Sequence, residues 1–134
     1  PIILDAIAWG VADANIEALL LALNRYDSTS QNPISCLRTT IGHFQKLRTA
    51  RTLLDQGYSP KDAAESLRPP IFWNKVPQFQ KQLTQWSIQQ INSALNRLSK
   101  AEALCKTTGY PSMTIASQIL LGVCIKGSKR ISSG

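Results

Sequence analysis

Apolar residues recur along the first part of the chain at intervals of three and four positions, the spacing of one helix face. The segment from Ile2 to Val11 is strongly apolar, and Asp13-Ala14-Asn15 follows as a break that supplies a helix N-cap. A second helix is predicted from the stripe of Ile16, Leu19, Leu20, Leu23 and Tyr26. Asn32-Pro33 marks a third start, since Asn is a favoured N-cap and Pro fits the first helical position.

The third helix is predicted to be the longest, with about six turns before Gly57 ends it. Its apolar stripe consists of Ile34, Leu37, Ile41, Phe44, Leu47 and Leu54. Ser59 and Asp62 have the spacing of a capping box for a short fourth helix. That helix is expected to stop at Arg68, because Pro69-Pro70 cannot continue it.

The second half of the chain repeats the helical period, and no stretch alternates with the period of two that predicts a half-buried strand. Ser87 with Gln90 forms a second capping box, and Thr108-Gly109-Tyr110-Pro111 is a predicted turn. The helical stripes are Phe79, Leu83 and Trp86, then Ile88, Ile91, Leu95 and Leu98, then Ala116, Ile119, Leu120 and Val123. The pattern predicts an all-α, single-domain bundle of about six to seven helices over residues 1–127, with 128–134 as a flexible C-terminal tail.

Basic and aromatic residues interleave in the stretch PPIFWNKVPQFQKQLTQWS, which runs from Pro69 to Ser87. Binders of single-stranded nucleic acid have this composition, because rings stack on bases while lysines follow the phosphates. The alternative is a loop that leads into a helix with its aromatic side chains packed inside the protein. The two interpretations differ in the side of the helix that carries the rings.

The predicted helical faces favour the second interpretation of this stretch. Phe79 and Trp86 share a face with Leu83, whereas the lysines of the stretch point elsewhere. Phe72 and Trp73 follow the two prolines, and we expect them to fill the joint between two helices. The stretch is therefore interpreted as part of the core.

Composition and charge point to a partner. Charged residues make up 17% of the 134-residue chain, against about 25% in a typical domain, and Gln, Asn, Ser and Thr take their place. A surface so poor in charge suggests that a partner covers part of it. The net charge of +7 favours an acidic partner such as nucleic acid. The charges are nevertheless spread along the chain, which is also typical of a generic basic surface.

The residues that most often carry chemistry are sparse. Cys36, Cys105 and Cys124 have no CxxC spacing and are predicted to be reduced, buried thiols of a cytoplasmic protein. His43, the single histidine, has no cysteine at ligand spacing and is predicted to be a packed or half-exposed helix residue. The chain lacks a phosphate-binding glycine motif and a nucleophile elbow. We therefore expect no catalytic residue, cofactor site or metal site.

Four basic residues of the long third helix are the candidate contacts with a subunit or with phosphate: Arg38, Lys46, Arg48 and Arg51. On a helical wheel Arg48 and Arg51 fall close to the apolar stripe, where a guanidinium can reach a neighbouring subunit or simply extend into solvent. Arg38 and Lys46 lie well outside the stripe. Contact with a subunit, contact with phosphate and a solvated edge all remain open at this stage.

Three further features limit the alternatives. Residues 57–67 resemble the first helix of a helix-turn-helix, but Arg68-Pro69-Pro70 stands where the recognition helix should begin. The apolar run from Met113 to Ile125 is too short to span a membrane. The chain begins at Pro1 without a methionine, so we expect a piece of a longer protein.

The run from Pro33 to Leu47 and three later segments follow one another in an order and spacing typical of one protein family. The later segments are Arg68-Pro69-Pro70-Ile71-Phe72-Trp73, Leu95-Asn96-Arg97-Leu98-Ser99-Lys100-Ala101-Glu102 and Lys106-Thr107-Thr108-Gly109. Together they resemble the delta subunit of bacterial DNA polymerase III, a clamp-loader protein, with the first run similar to its long collar helix. The Arg-Pro-Pro segment resembles alphaproteobacterial members in particular. The resemblance covers nearly the whole chain, from about Leu4 to Ile125.

The resemblance implies a role in DNA replication. In that family the C-terminal helical domain joins the clamp-loader collar with the gamma/tau and delta-prime subunits, and the clamp-opening and AAA+-like regions precede it. Neither region is present here, so we expect residues 1–127 to be a collar domain that assembles with those subunits. We expect it to lie in the cytoplasm, to reach DNA through the complex and to have no enzymatic activity of its own. The alternative is an independent basic, helical nucleic-acid-binding domain.

Overall fold

A computed structural model describes residues 2–28, 32–107, 109 and 111–133, with side chains for all of these except 28 and 129–133. The described residues form seven α-helices and one 3₁₀ turn, Trp73–Lys75, and contain no strand. The helices are α1 (Ile2–Ala12), α2 (Ile16–Ser28), α3 (Pro33–Asp55), α4 (Pro60–Glu65), α5 (Val76–Gln85), α6 (Ile88–Cys105) and α7 (Ser112–Ser133). The prediction of an all-α, single-domain bundle is confirmed.

The helix starts follow the capping residues in the sequence. The side chain of Asn32 accepts a hydrogen bond from the Ile34 amide, and the side chain of Ser59 accepts one from the Asp62 amide. Both halves of the capping box at the start of α6 are formed, with Ser87 as its first residue. These side chains satisfy backbone donors that have no partner inside a helix.

Two helix ends differ from the prediction. The fourth helix ends at Glu65, before the predicted Arg68. The fifth ends at Gln85, so Trp86 follows the helix with an extended backbone instead of completing its stripe. Helix α7 continues to Ser133, and the division of the chain between residues 127 and 128 stays a prediction. Of the predicted turn at 108–111, Thr108 and Tyr110 lie outside the described residues.

The long helix α3 is the centre of the bundle. It packs against α1 and α6 along its length, and α7 contacts all three of these helices. The short α4 and α5 pair with each other and close against α3, while α2 packs on α1 and α7. This arrangement encloses a core that includes the completely buried side chains of Phe44, Leu47, Phe79 and Leu98.

Trp86 is the largest side chain in this core. It is 1% exposed, and its ring lies edge-on to Phe44 with centroids 5.0 Å apart. Its indole N–H donates a 2.8 Å hydrogen bond to the carbonyl oxygen of Ala12, at the end of α1. Gly127 of α7 lies so close that a Cβ atom there would be 2.5 Å from the indole ring. The predicted core positions of Trp86 and Phe79 are thus confirmed.

The expectation for the neighbouring aromatic pair is wrong. Phe72 is 74% exposed and Trp73 is 82% exposed, so neither ring fills the joint between helices. Leu67, which is buried, and Ile71, which is partly buried against the core, occupy that place instead. With the joint already filled by these smaller side chains, both rings remain outside.

The cysteines are buried, as the sequence predicts. Cys36, Cys105 and Cys124 are all buried and are not joined by a disulfide. Burial raises the pKa of Cys36 and of Cys124 to about 11, which keeps both thiols protonated near neutral pH.

Candidate functional site

The four basic residues predicted as contacts lie on different sides of α3. Arg38 donates a 2.6 Å hydrogen bond from Nε to Oε2 of Glu102 on α6. Glu102 also pairs with Lys106 at 3.4 Å. The hydrogen bond from Arg38, together with the nearby Lys106 charge, lowers the pKa of the Glu102 carboxyl group. Arg38 therefore already has an acidic partner within the protein.

Arg51 is also engaged within the protein. Its Nε and Nη2 atoms donate to Oδ1 of Asp55, at 3.1 and 2.9 Å, and its Nη1 donates to the carbonyl oxygen of Leu83 at 2.8 Å. The bonds to Asp55 stay within α3, whereas the bond to Leu83 ties α3 to α5. Arg51 lies close to the apolar stripe, as predicted, but its guanidinium contributes to the fold and has little capacity left for a partner.

Arg48 lines a shallow groove between α3 and α6. The groove has a volume of about 360 Å³ and contains Gln45, Asn92, Asn96 and Ser99 on its polar side. Arg48 is exposed, and none of the ion pairs found among the described side chains involves it. Of the four predicted contacts, Arg48 is thus the one most available to a neighbouring subunit.

Lys46 lines a larger cleft on another side of α3. This cleft, of about 510 Å³, lies between α1, α3 and residues 70–75. Its walls include Ile2, Trp9 and Phe72 as well as Lys75. Asp5 also contributes to the lining, so the cleft combines apolar surface with charges of both signs.

Aromatic rings and lysines lie side by side in the lining of this cleft. The Nζ atom of Lys75 lies 5.1 Å from the centre of the Trp9 ring, a cation–π distance. Phe72 lines the cleft beside Lys75, and Trp73 follows directly in the chain. We name Trp9, Lys46, Phe72, Trp73 and Lys75 the aromatic–lysine surface. This surface was not predicted from the sequence, although the stretch from Pro69 to Ser87 that contains most of it has the composition of a base-stacking binder.

His43 lies at the base of the same cleft and is buried. Its Nε2 is 2.7 Å from Oε1 of Gln82, and the Gln82 amide donates to Oδ1 of Asp13 at 2.7 Å. Because the amide nitrogen is the donor to Asp13, the oxygen of Gln82 must accept, so His43 donates from Nε2. These bonds join α3 and α5 to the turn that follows α1. His43 is thus a packed structural residue.

The buried His43 should make the fold sensitive to acid. Burial, with a smaller effect of the Lys46 charge, lowers the pKa of His43 to about 4, although Gln82, Asp13 and Asp5 oppose the shift. The unfolded chain therefore binds a proton that the folded chain does not, between about pH 6.5 and pH 4. The free energy of unfolding should therefore decrease by about 2 kcal/mol from pH 7 to pH 5.

Urea unfolding at these two pH values measures this loss. His43→Gln retains a side chain that can donate to Gln82 and has no titrating group, so its stability should vary little over the same range. If the variant and the unchanged protein lose stability equally between pH 7 and pH 5, His43 is not the cause.

Residues 2–28, 32–107 and 111–128 contain no group of three or more His, Cys, Asp or Glu side chains placed to hold a metal ion. None of the described helices has both the length and the apolar character needed to cross a membrane.

No family model and no curated protein matches the chain. A solved structure is similar, that of the DNA clamp loader delta protein of Bacillus subtilis, with a TM-score of 0.71 and 16% sequence identity. The match covers 92% of this chain and 35% of that one, so the chain spans about a third of the solved protein. The resemblance predicted from the sequence is thereby confirmed at the level of the fold: the chain has the fold of a clamp-loader-like helical domain.

Proposed function

We propose that this chain is the collar domain of a delta subunit of the DNA polymerase III clamp loader. In this role it assembles with the gamma/tau and delta-prime subunits in the cytoplasm and supports loading of the sliding clamp, without catalysis of its own. The observation that carries the proposal is the fold shared with a clamp loader delta protein over 92% of the chain. The four sequence segments that resemble the family support it independently.

The groove between α3 and α6 supports an assembly role. Its lining combines three amides and one hydroxyl with the exposed Arg48 and with the apolar side chains of Ile41 and Leu95. A helix from another subunit can satisfy such amides while it covers the apolar side chains. The candidate contact with a neighbouring subunit is therefore Arg48 in this groove, whereas Arg38 and Arg51 act within the domain.

Assembly is tested by light scattering on a sizing column, with this domain mixed with purified gamma/tau and delta-prime collar domains. The unchanged domain should form a stable hetero-oligomer at moderate salt. Arg48→Ala should weaken it by about tenfold, the effect of one lost charge-assisted hydrogen bond. Lys81→Ala, an exposed charge on α5, is the matched control and should assemble normally. Failure of the unchanged domain to join either partner would refute the proposal.

A second candidate function is contact with single-stranded nucleic acid through the aromatic–lysine surface. Large apolar rings that are mostly exposed are costly in water and usually have a partner. Here Phe72 and Trp73 are exposed beside Lys75, with Lys46 across the cleft. Rings next to lysines match the pattern of base stacking combined with phosphate contact. This contact is compatible with assembly, since the surface and the α3–α6 groove lie on different sides of α3.

Fluorescence titration with an oligomer of thymidylate tests the second function. Trp73→Ala should weaken binding by about tenfold or more, the worth of one stacked base. Lys75→Gln should weaken binding. It should also reduce the slope of log K against log salt concentration by about 0.7 in magnitude, the value for one phosphate of a single strand. Tyr58→Ala removes a half-exposed ring elsewhere and serves as the control. Equal affinity of Trp73→Ala and the control would exclude this surface as the site.

A further inference from the structure

Arg97 occupies an unusual position between α6 and α7. It lies within one of the segments that resemble the clamp-loader family, yet neither proposed function uses it. Its guanidinium rests against Gly122 of α7, where a Cβ atom would be 2.5 Å from Nη2 and 3.5 Å from Cζ. Any side chain at this position would therefore push the guanidinium away. A glycine here lets the positive charge approach the backbone of α7.

The side chains around Arg97 are donors of hydrogen bonds. A notch of about 140 Å³ between α6 and α7 is lined by Gln90, Ser93, Arg97 and Lys126, with apolar atoms of Trp86, Ala94 and Val123 below them. The side-chain oxygen of Gln90 already accepts a 2.9 Å bond from the Ser87 amide. The NH₂ group of Gln90 is therefore the end that remains for another molecule. No carboxylate is among the side chains that line the notch.

The charges of the notch are not neutralised by the described part of the protein. The ion pairs described for residues 2–28, 32–107 and 111–128 involve neither Arg97 nor Lys126, in contrast to Arg38 and Arg51. Arg97 is partly buried, which removes some of the water around its guanidinium. A partly buried cation with no acidic partner loses hydration without a compensating charge. An anion in the notch would supply that compensation.

We propose that the notch formed by Gln90, Ser93, Arg97 and Lys126 binds a phosphate group. Two cations and two neutral donors from two helices line it. A phosphate has three or more oxygens that accept from different directions, whereas the two oxygens of a carboxylate are satisfied by one arginine. The set of donors thus suits phosphate better than carboxylate. The site is independent of the assembly proposed above and of the aromatic–lysine surface.

Amide NMR spectra recorded during a titration with inorganic phosphate test the site, with sodium chloride adjusted to keep ionic strength constant. The backbone amides of Ser93 and Gly122 should shift and saturate. Arg97→Gln should abolish saturation, and Lys126→Gln should raise the apparent Kd by about tenfold, as for a lost charge-assisted contact. Lys100→Gln removes an equal charge from an exposed position of α6 outside the notch, and its Kd should not change.

Gly122→Ala gives a test in which every charge is kept. The new methyl group displaces the flexible end of Arg97, while alanine favours the helix, so stability should stay the same or rise. Phosphate should nevertheless bind about tenfold more weakly, because the guanidinium no longer rests in the notch. This variant separates loss of the site from loss of the fold if Arg97→Gln proves unstable.

Competing anions identify the source of the phosphate. A thymidylate oligomer is added to the phosphate-bound protein. If it displaces inorganic phosphate and this displacement depends on Arg97, the proposal is supported and the ligand is a nucleic-acid backbone. If inorganic phosphate saturates the site but the oligomer does not displace it, the proposal is supported and the ligand is a free phosphate or a phosphate monoester. Equal saturation by acetate at the same ionic strength would overturn the proposal in favour of a carboxylate. Shifts that do not saturate, or that persist in Arg97→Gln, would overturn it entirely.

Discussion

Replacement of Trp86 by alanine is expected to lower the free energy of unfolding by about 4 kcal/mol. The ring is 1% exposed and is in edge-to-face contact with Phe44, so its loss leaves a cavity that its neighbours cannot fill. The carbonyl oxygen of Ala12 also loses its hydrogen bond from the indole. A buried acceptor left without a donor adds to the cost.

Trp73→Ala is the matched control for this substitution. The two tryptophans lie in the same stretch of the sequence, but Trp73 is 82% exposed, so its removal should change stability by less than about 0.5 kcal/mol. Urea unfolding followed by circular dichroism measures both variants on one scale. Similar losses in the two variants would mean that Trp73 packs against the protein in solution.

Gly127→Ala is expected to destabilise the protein by about 3 kcal/mol, at the upper end of the cost of overpacking a core. The new Cβ atom would lie 2.5 Å from Cζ2 of Trp86 and 3.1 Å from Cβ of Ala14. The indole cannot yield easily, because it is buried and its N–H is bonded to Ala12. The strain therefore falls on the contact between α7 and the end of α1.

Gly42→Ala is expected to have the opposite effect on stability. Gly42 lies inside α3, and a Cβ atom there would meet nothing within 4 Å. The substitution should stabilise the protein by about 0.5–1 kcal/mol, since alanine is the better helix former. Thermal unfolding of both variants should thus give shifts of opposite sign. A loss of stability in Gly42→Ala would mean that a methyl group at this position meets a neighbour in solution.

Much of the fold could be predicted because it depends on local signals. The capping residues Asn32, Ser59 and Ser87 fix three helix starts, and the apolar stripes identify Phe79 and Leu83 as core residues. A cap is satisfied by backbone groups within a few residues, so the sequence contains both partners.

The outcome at Phe72 and Trp73 could not be predicted in the same way. Whether a ring after a proline pair is inside or outside depends on which other residues fill the joint, and here Leu67 and Ile71 do so. The same holds for the candidate contacts. A helical wheel shows the side of α3 on which Arg38 lies, but not that Glu102, 64 positions away, meets it there. Arg97 was likewise missed, because its environment depends on a glycine of another helix.

The bonds around Trp86 also set an order of events during synthesis. The indole reaches back 74 positions to Ala12, and the thiol of Cys124 donates to the carbonyl oxygen of Gly10, 114 positions earlier. A nascent chain that still lacks α7 already contains α1 and α3, but nothing covers the surface around Trp86 and Ala14 against which Gly127 packs. Helices α1 to α6 must therefore all be synthesised before α7 can close the core, and the face that α7 covers stays open until then.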